Sequence, residues 1–135
     1  MTIQKAAVVG AGNMGSGIAQ KIATEGFNVI LADMSEEHAQ AGLKRIETLL
    51  KEGVERKIFK TEQVKAILGR ITATGDLELL QDVDIVIEAV FEDIGVKQSL
   101  FRKLGDITRP DTVLATNTSS FLVAQVADGV KHPER

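Results

Sequence analysis

Cysteine, tryptophan and tyrosine are all absent from this 135-residue chain, and each absence excludes a class of function. Without cysteine there are no disulfides, no thiol catalysis and no thiolate metal sites. The two histidines, His38 and His132, lie far apart in the sequence, so we predict no metal site. Five phenylalanines are the whole aromatic content. That is too little for a surface that stacks nucleic-acid bases.

An excess of positive charge is also lacking. Lysine and arginine number 16 against 19 aspartates and glutamates, and the net charge of -3 argues against a nucleic-acid partner. No apolar run approaches the roughly 18 residues that a membrane span needs. The apolar stretch near the N-terminus is too short for a signal peptide. We therefore expect a cytoplasmic protein with no membrane or nucleic-acid partner.

The patterns that are present alternate between strand and helix. Helices are predicted at 14–25, 35–68 in two pieces, 96–104 and 121–127, and strands at 3–9, 27–33, 71–73, 82–89 and 112–116. This alternation predicts a single α/β domain, 1–135, with a doubly wound and mostly parallel sheet. The connection at 35–69 is about three times longer than the dozen residues of a plain crossover. We predict that this helical insert is a helical pair projecting from the sheet.

A glycine-rich loop follows the first predicted strand. Gly10, Gly12 and Gly15 form G-x-G-x-x-G between that strand and a helix. In this setting the first glycine permits a tight turn, the second lets a pyrophosphate reach the backbone, and the third lets helix and strand pack closely. The helix N-terminus adds free N–H groups for phosphate oxygens. The loop predicts a Rossmann-type dinucleotide site, and the alternative is an ordinary tight strand–helix turn.

One carboxylate narrows the predicted ligand. Asp33 ends the second predicted strand, about 20 residues after the loop, where it can accept hydrogen bonds from both ribose hydroxyls of an adenosine. It would also repel a 2′-phosphate, so NAD is favoured over NADP. The alternative is that Asp33 caps the helix that starts near Ser35.

The loop GAGNMGSGIAQ resembles that of the 3-hydroxyacyl-CoA dehydrogenases. Three later features strengthen the resemblance: the segment DIVIEAVFEDIGVKQSLF at 84–101, the segment ATNTSS at 115–120, and the helical insert, which is similar to the part of the family that meets coenzyme A. The resemblance covers the whole chain. It implies an NAD-dependent oxidoreductase of fatty-acid metabolism and β-oxidation, of the 3-hydroxybutyryl-CoA type. Such an enzyme moves a hydride between nicotinamide and carbon 3 of an acyl-CoA.

The resemblance also implies roles for particular residues. It places Ser119 at the 3-oxygen of the substrate and Asn117 beside the nicotinamide ribose, which makes both catalytic candidates. Lys97 would contact oxygens of the cofactor or the acyl-CoA. Besides the three glycines and Asp33, the implied cofactor contacts are Asn13, Met14, Glu92, Lys97 and Asn117.

Each later motif has a purely structural alternative. Glu92 and Asp93 could serve only to cap the following helix. Lys97 could lie on a solvated helix face. Residues 117–120 could form only a polar turn with a cap. Alternating charges on the helical insert favour a solvated, salt-bridged face. Its basic residues are Lys44, Arg45, Lys51, Arg56 and Lys57.

The resemblance implies two parts that the 135 residues do not supply. In the family, a histidine oriented by a glutamate is the base, about 20 residues beyond the serine motif, and a helical domain closes over the acyl chain. His132 precedes Pro133 in an expected surface turn and is not a substitute. We expect an NAD-binding domain that is inactive alone. We also expect an exposed sheet edge that favours self-association or a homodimer.

Two other functions fit the same loop and acid. One is the NAD-binding domain of a different hydroxy-acid or sugar-acid dehydrogenase, and the other is a non-enzymatic NAD(H) sensor. The helical insert favours a 3-hydroxyacyl-CoA dehydrogenase over another hydroxy-acid or sugar-acid dehydrogenase, because an enzyme of CoA thioesters has use for a part that meets coenzyme A. The sensor requires an effector domain, and the 135 residues contain none.

Overall fold

A parallel five-stranded sheet lies at the centre of the computed structural model, which describes residues 2–135. The strands are β1 Lys5–Val9, β2 Asn28–Ala32, β3 Ile71–Thr74, β4 Ile85–Glu88 and β5 Val113–Thr116. Their order is β3-β2-β1-β4-β5, and every neighbouring pair is parallel. The direction of winding reverses between β1 and β4, which is where open α/β sheets bind ligands. The predicted doubly wound fold is confirmed.

Residues 2–135 contain five α-helices, of which four lie between strands and the fifth follows β5. They are α1 Asn13–Thr24, α2 Glu36–Glu55, α3 Thr61–Gly69, α4 Ile94–Ile107 and α5 Val123–Val126. The predicted order of elements is confirmed, apart from a short 3-10 turn at Leu77–Leu80 that the sequence pattern did not indicate. None of the helices in residues 2–135 combines the length and the apolar character that crossing a bilayer requires.

Apolar side chains cover both faces of the sheet. On one face Val8 and Leu31 pack with Ile46 of α2, and on the other Val86 packs with Leu104 of α4. Strands that are covered on both sides are mostly aliphatic, which is why apolar residues follow one another without a break at 6–9 and 29–32.

The long connection after β2 is a helical pair, as predicted, but it packs against the sheet. Ile46 and Leu50 of α2 and Val64 and Ile67 of α3 are buried in the core cluster beside β1 and β2. Burying four aliphatic side chains stabilises this docking by several kcal/mol, at about 1.5–3 kcal/mol for each. The prediction that the pair projects from the sheet is therefore corrected.

Asp84 ties the amino ends of β1 and β4 together. Its carboxylate accepts hydrogen bonds from the backbone N–H groups of Gln4 and Lys5 at 2.8 and 2.9 Å, and from the Arg109 guanidinium at 2.9 Å. These hydrogen bonds lower the pKa of Asp84 from 3.8 to about 2, and the two from the backbone have the largest effect.

Asp84→Asn is expected to lower the melting temperature at neutral pH, with a difference from the unaltered chain that vanishes in acid. Because the pKa of Asp84 is lower in the folded state than in the unfolded state, the carboxylate stabilises the fold at pH values above 3.8. This stabilisation is lost as the pH falls towards about 2. Thermal melts of both proteins across this pH range measure the effect. A difference in melting temperature that stays constant with pH would contradict it.

Candidate functional site

The carboxyl ends of the strands meet at one edge of the sheet, and a cleft of about 830 Å³ opens there. Gly10, Gly12 and Asp33 line it together with apolar side chains that include Val90 and Leu100. The cleft lies at the switch point between β1 and β4, which is the expected position of a ligand in this architecture. An apolar cleft with a few polar groups is the usual form of a small-molecule site.

Gly10 and Gly15 are required by packing in the loop between β1 and α1. Gly10 has a φ of +108°, and a Cβ there would lie 2.6 Å from the Ala89 carbonyl oxygen. A Cβ on Gly15 would lie 1.6 Å from the Gly10 carbonyl oxygen. Only glycine fits at either position, so these two residues fix the path of the loop.

Gly12 has a different role from its two neighbours. A Cβ on Gly12 would meet nothing within 4 Å, so packing does not require a glycine here. Gly12 is also the N-cap of α1, and it provides no side-chain cap for the helix. The first N–H groups of α1 therefore adjoin open space, which suits the oxygens of a diphosphate. An ordinary tight turn explains Gly10 and Gly15 but leaves Gly12 unexplained.

Asp33 lies beside the loop, directly after β2. Its carboxylate accepts hydrogen bonds from the backbone N–H groups of Ala11 at 2.7 Å and Met34 at 2.6 Å. The side chain keeps 20% of its surface exposed, so ribose hydroxyls can still reach it. The N-cap of α2 is Ser35, which accepts from the His38 N–H group. The alternative role of Asp33 as that cap is therefore wrong.

Asn13 and Met14 form the start of α1 and are exposed. They line a shallow groove along this helix with Ile18 and Ile22, and they are not among the residues that line the cleft. Their roles as cofactor contacts stay predictions.

Lys97 is buried, with only 1% of its side chain exposed. Its Nζ lies 2.6 Å from Oε1 of Glu88 and 3.0 Å from Oε1 of Glu92. Burial lowers the pKa of Lys97, but the hydrogen bonds and charges of the two carboxylates outweigh that effect and raise the pKa above 10.5. Lys97 is therefore charged at neutral pH. The alternative of a solvated lysine is wrong, and a direct contact with the cofactor stays a prediction.

Glu92 reaches from the β4–α4 loop to the segment after β5. Its Oε2 accepts a hydrogen bond from Thr118 Oγ1 at 2.6 Å. This bond, followed by the one from Lys97, lowers the pKa of Glu92. The cap of α4 is Asp93, which accepts from the Val96 N–H group at 2.9 Å. The capping role thus belongs to Asp93, and Glu92 is free of it.

Asn117 and Ser119 follow β5 at the same sheet edge and are exposed. The Asn117 N–H group donates to the Glu88 carbonyl oxygen at 2.9 Å. Thr118 Oγ1 accepts from the N–H groups of Ser120 and Phe121, which makes the segment a polar turn with a cap. The polar turn that was the structural alternative is present, and it leaves the side chains of Asn117 and Ser119 exposed. Their roles towards nicotinamide and substrate stay predictions.

Glu88 carried no prediction from the sequence, but it lies in contact with Val90, Lys97 and Thr116. Both of its carboxylate oxygens are used: Oε1 by Lys97 and the Val90 N–H group, and Oε2 by Thr116 Oγ1 at 2.5 Å. A signal was present, because a carboxylate in an otherwise aliphatic buried strand requires a buried partner.

Arg45 is exposed, as the predicted solvated helix face requires, but it also contacts the glycine loop. Its Nη1 donates to the Ala11 carbonyl oxygen at 2.9 Å and lies 3.4 Å from Ser16 Oγ. A positive charge therefore adjoins the glycine loop. Lys51 does form the predicted surface pair, 2.6 Å from Glu47.

Each of the two histidines lies beside a carboxylate. The Nδ1 atom of His38 lies 3.8 Å from the Asp33 carboxylate, at the end of β2. His132 lies 3.4 Å from Glu134, in the turn leading to Arg135, whose carbonyl oxygen accepts from the Leu114 N–H group near the start of β5. Among residues 2–135, no group of three or more histidine or acidic side chains is arranged to hold a metal ion.

Comparison with known proteins agrees with this geometry. The family model of the 3-hydroxyacyl-CoA dehydrogenase NAD-binding domain matches residues 5–135. A probable 3-hydroxybutyryl-CoA dehydrogenase of Bacillus subtilis is 41% identical over 135 residues, which is 100% of this chain and 47% of that protein. A 3-hydroxybutyryl-CoA dehydrogenase of Mycobacterium tuberculosis is 44% identical over 135 residues, 98% of this chain and 47% of that protein.

Solved structures give the same result. The crystal structure of FadB2 from M. tuberculosis superposes with a TM-score of 0.96 at 41% identity, over 100% of this chain and 48% of that one. The chain spans about half the length of the curated relatives described above. Motif, fold and family model agree, and the chain belongs to the 3-hydroxyacyl-CoA dehydrogenase family as its NAD-binding domain.

Proposed function

We propose that the protein interconverts 3-hydroxyacyl-CoA and 3-oxoacyl-CoA, and that these residues hold NAD for the hydride transfer. The observation that carries the proposal is the meeting of the glycine loop and Asp33 in one cleft, with Glu92 and the turn after β5 at the same sheet edge. The names of the two dehydrogenase relatives support this substrate class.

The cleft fits the adenosine half of NAD. The open space at Gly12 accommodates the diphosphate against the first turn of α1. The Asp33 carboxylate has lone pairs left after its two backbone hydrogen bonds, and these accept the ribose hydroxyls. A 2′-phosphate would meet this negative charge and be repelled. When bound, NAD supplies the acceptor for a hydride from carbon 3 of the substrate.

The other half of the site lies between β4 and β5. Glu92 is held by Thr118 and Lys97 and accepts hydrogen bonds from the second ribose. Asn117 orients the nicotinamide side, and the Ser119 hydroxyl donates to the 3-oxygen of the substrate. Hydride removal also needs a base with a pKa near neutrality, usually a histidine. His38 lies beside Asp33, and His132 pairs with Glu134 in the turn before Arg135. Since neither histidine is paired with Glu92 or Ser119, we infer that the 135 residues bind NAD without dehydrogenase turnover.

Calorimetric titration of the 135-residue chain with NADH tests the proposal. We expect one NADH bound per chain, and no oxidation of NADH when acetoacetyl-CoA is added. The proposed NADH binding would be refuted if millimolar cofactor gave neither heat nor a change in NADH fluorescence. Oxidation of NADH would overturn the inactivity.

Asp33→Ser tests whether Asp33 makes the site prefer NADH over NADPH. We expect NADH affinity to fall by about tenfold or more, because hydrogen bonds to a charged group are lost, and NADPH affinity to change less or to rise. The matched control is Glu37→Ser, which removes an exposed negative charge from the first turn of α2 without altering the lining of the cleft. Equal losses in the two variants would show that only the overall charge matters.

A role in fatty-acid metabolism, a cytoplasmic location and self-association or a homodimer stay predictions from the sequence. The role in fatty-acid metabolism is supported by the relatives' names, which give an acyl-CoA as the substrate. Sedimentation at high protein concentration measures the association, and a monomer throughout would contradict it.

A further inference from the structure

Glu88 is a buried carboxylate with no direct role in the proposed reaction. It is the last residue of β4 and is fully buried. Its three hydrogen-bond donors come from three different segments: Val90 in the loop after β4, Lys97 in α4, and Thr116 at the end of β5. One side chain therefore links the loop after β4, helix α4 and the end of β5.

The fold itself does not require an ion pair at this position. A buried pair can often be replaced by apolar side chains of similar volume without loss of stability. The neighbouring strand residues Val86 and Val9 are aliphatic and buried, so an apolar residue suits the environment. The charged pair lies instead at the carboxyl end of the strand, where parallel sheets bind their ligands.

The contacts of Lys97 connect Glu88 to the site. The Nζ atom is shared between the buried Glu88 and the half-exposed Glu92, whose side chain is 45% exposed. Two carboxylates surround one ammonium group, so negative charge is in excess in this cluster, and the half-exposed Glu92 presents it to an incoming ligand. Thr118 holds the other oxygen of Glu92. The Glu92 carboxylate is thus held from both sides.

We propose that Glu88 is a positioning residue for the nicotinamide half of the dinucleotide, acting through Lys97 on Glu92 and through Thr116 on the turn that carries Asn117 and Ser119. This inference rests on the proposed function, because it assumes that a dinucleotide occupies the cleft. Glu88 itself makes no contact with the ligand in this arrangement. The adenosine half is held by Gly12 and Asp33, which Glu88 does not touch.

Two ligands separate positioning from simple support of the fold. NADH has both halves of the dinucleotide, whereas ADP has only the half that adjoins the glycine loop and Asp33. For Glu88→Gln we expect NADH affinity to fall about tenfold, since a hydrogen bond to a charged group is weakened, and ADP affinity to stay within about twofold. Calorimetry on the 135-residue chain measures both. Glu47→Gln, on the exposed face of α2, is the control and leaves both affinities unchanged.

Two results would overturn the inference: equal losses for NADH and ADP, which indicate a structural role, or no loss for either ligand. If Glu88→Gln does not fold, the double variant Glu88→Leu/Lys97→Met replaces the ion pair with apolar side chains. It is expected to bind ADP normally and NADH about tenfold more weakly. Retention of full NADH affinity by the double variant also overturns the inference. Failure of the unaltered chain to bind NADH would instead refute the proposed function.

Discussion

Gly15→Ala is expected to abolish cofactor binding and to destabilise the fold by about 3 kcal/mol. The new Cβ would lie 1.6 Å from the Gly10 carbonyl oxygen and 3.5 Å from Cγ1 of Val8. No side-chain rotation relieves a clash between two main-chain positions, so either α1 or the loop must move. Urea unfolding gives the loss in the free energy of unfolding, and NADH titration gives the loss in affinity, which we expect to exceed a hundredfold, or about 3 kcal/mol.

Two other glycines of the same loop and helix are matched controls. A Cβ at Gly17 would meet nothing within 4 Å, so Gly17→Ala is expected to stabilise the chain by about 0.5–1 kcal/mol through the better helix propensity of alanine. Gly12→Ala is expected to keep the stability within about 1 kcal/mol and to weaken NADH binding at least tenfold. Equal effects of the changes at Gly12 and Gly15 would contradict the separate roles assigned to them.

Lys97→Met is the second change with a large expected effect. It removes the cation from a fully buried carboxylate, Glu88, and leaves this carboxylate without a counter-charge. Breaking a buried pair in this way costs about 3–5 kcal/mol, a large part of the roughly 5–15 kcal/mol that stabilises a typical domain. We expect the midpoint of urea unfolding to fall accordingly at neutral pH.

The controls for Lys97→Met use the same helix and the same pair. Lys103→Met removes an exposed lysine of α4 and is expected to change stability by less than about 0.5 kcal/mol. The double variant Glu88→Leu/Lys97→Met is expected to recover most of the stability that the single change removes, because no unpaired charge remains. If Lys97→Met and Lys103→Met proved equally stable, Lys97 would not be buried as described.

The sequence predicted the local features of this domain because local patterns determine them. The glycine loop, the Asp33 carboxylate and the aliphatic strands each lie within a short segment, and their spacing is set by the geometry of one turn, strand or helix. Asp33 could be placed beside the loop without coordinates, since the carboxyl ends of adjacent parallel strands share one edge of the sheet.

Contacts between distant segments could not be predicted in the same way. The partners of Glu88 come from α4 and β5, and the sequence pattern offers many lysines and threonines without showing which of them meet it. Arg45 likewise is one of several exposed cations of α2, and only the packing of α2 against the loop shows that Arg45 is the one that contacts Ala11. The docking of the helical insert had one local signal, the four-residue spacing of Ile46 and Leu50.

Asp33 has a consequence for the entropy of binding. Its carboxylate already accepts hydrogen bonds from the N–H groups of Ala11 and Met34, so the protein itself fixes the segments on both sides of the proposed adenosine subsite. A ligand that enters such a preorganised site does not have to immobilise the backbone around it, and more of its interaction energy appears as affinity. In the proposed function Asp33 therefore contributes twice, once as an acceptor for the ribose and once by limiting the disorder that binding would otherwise have to remove.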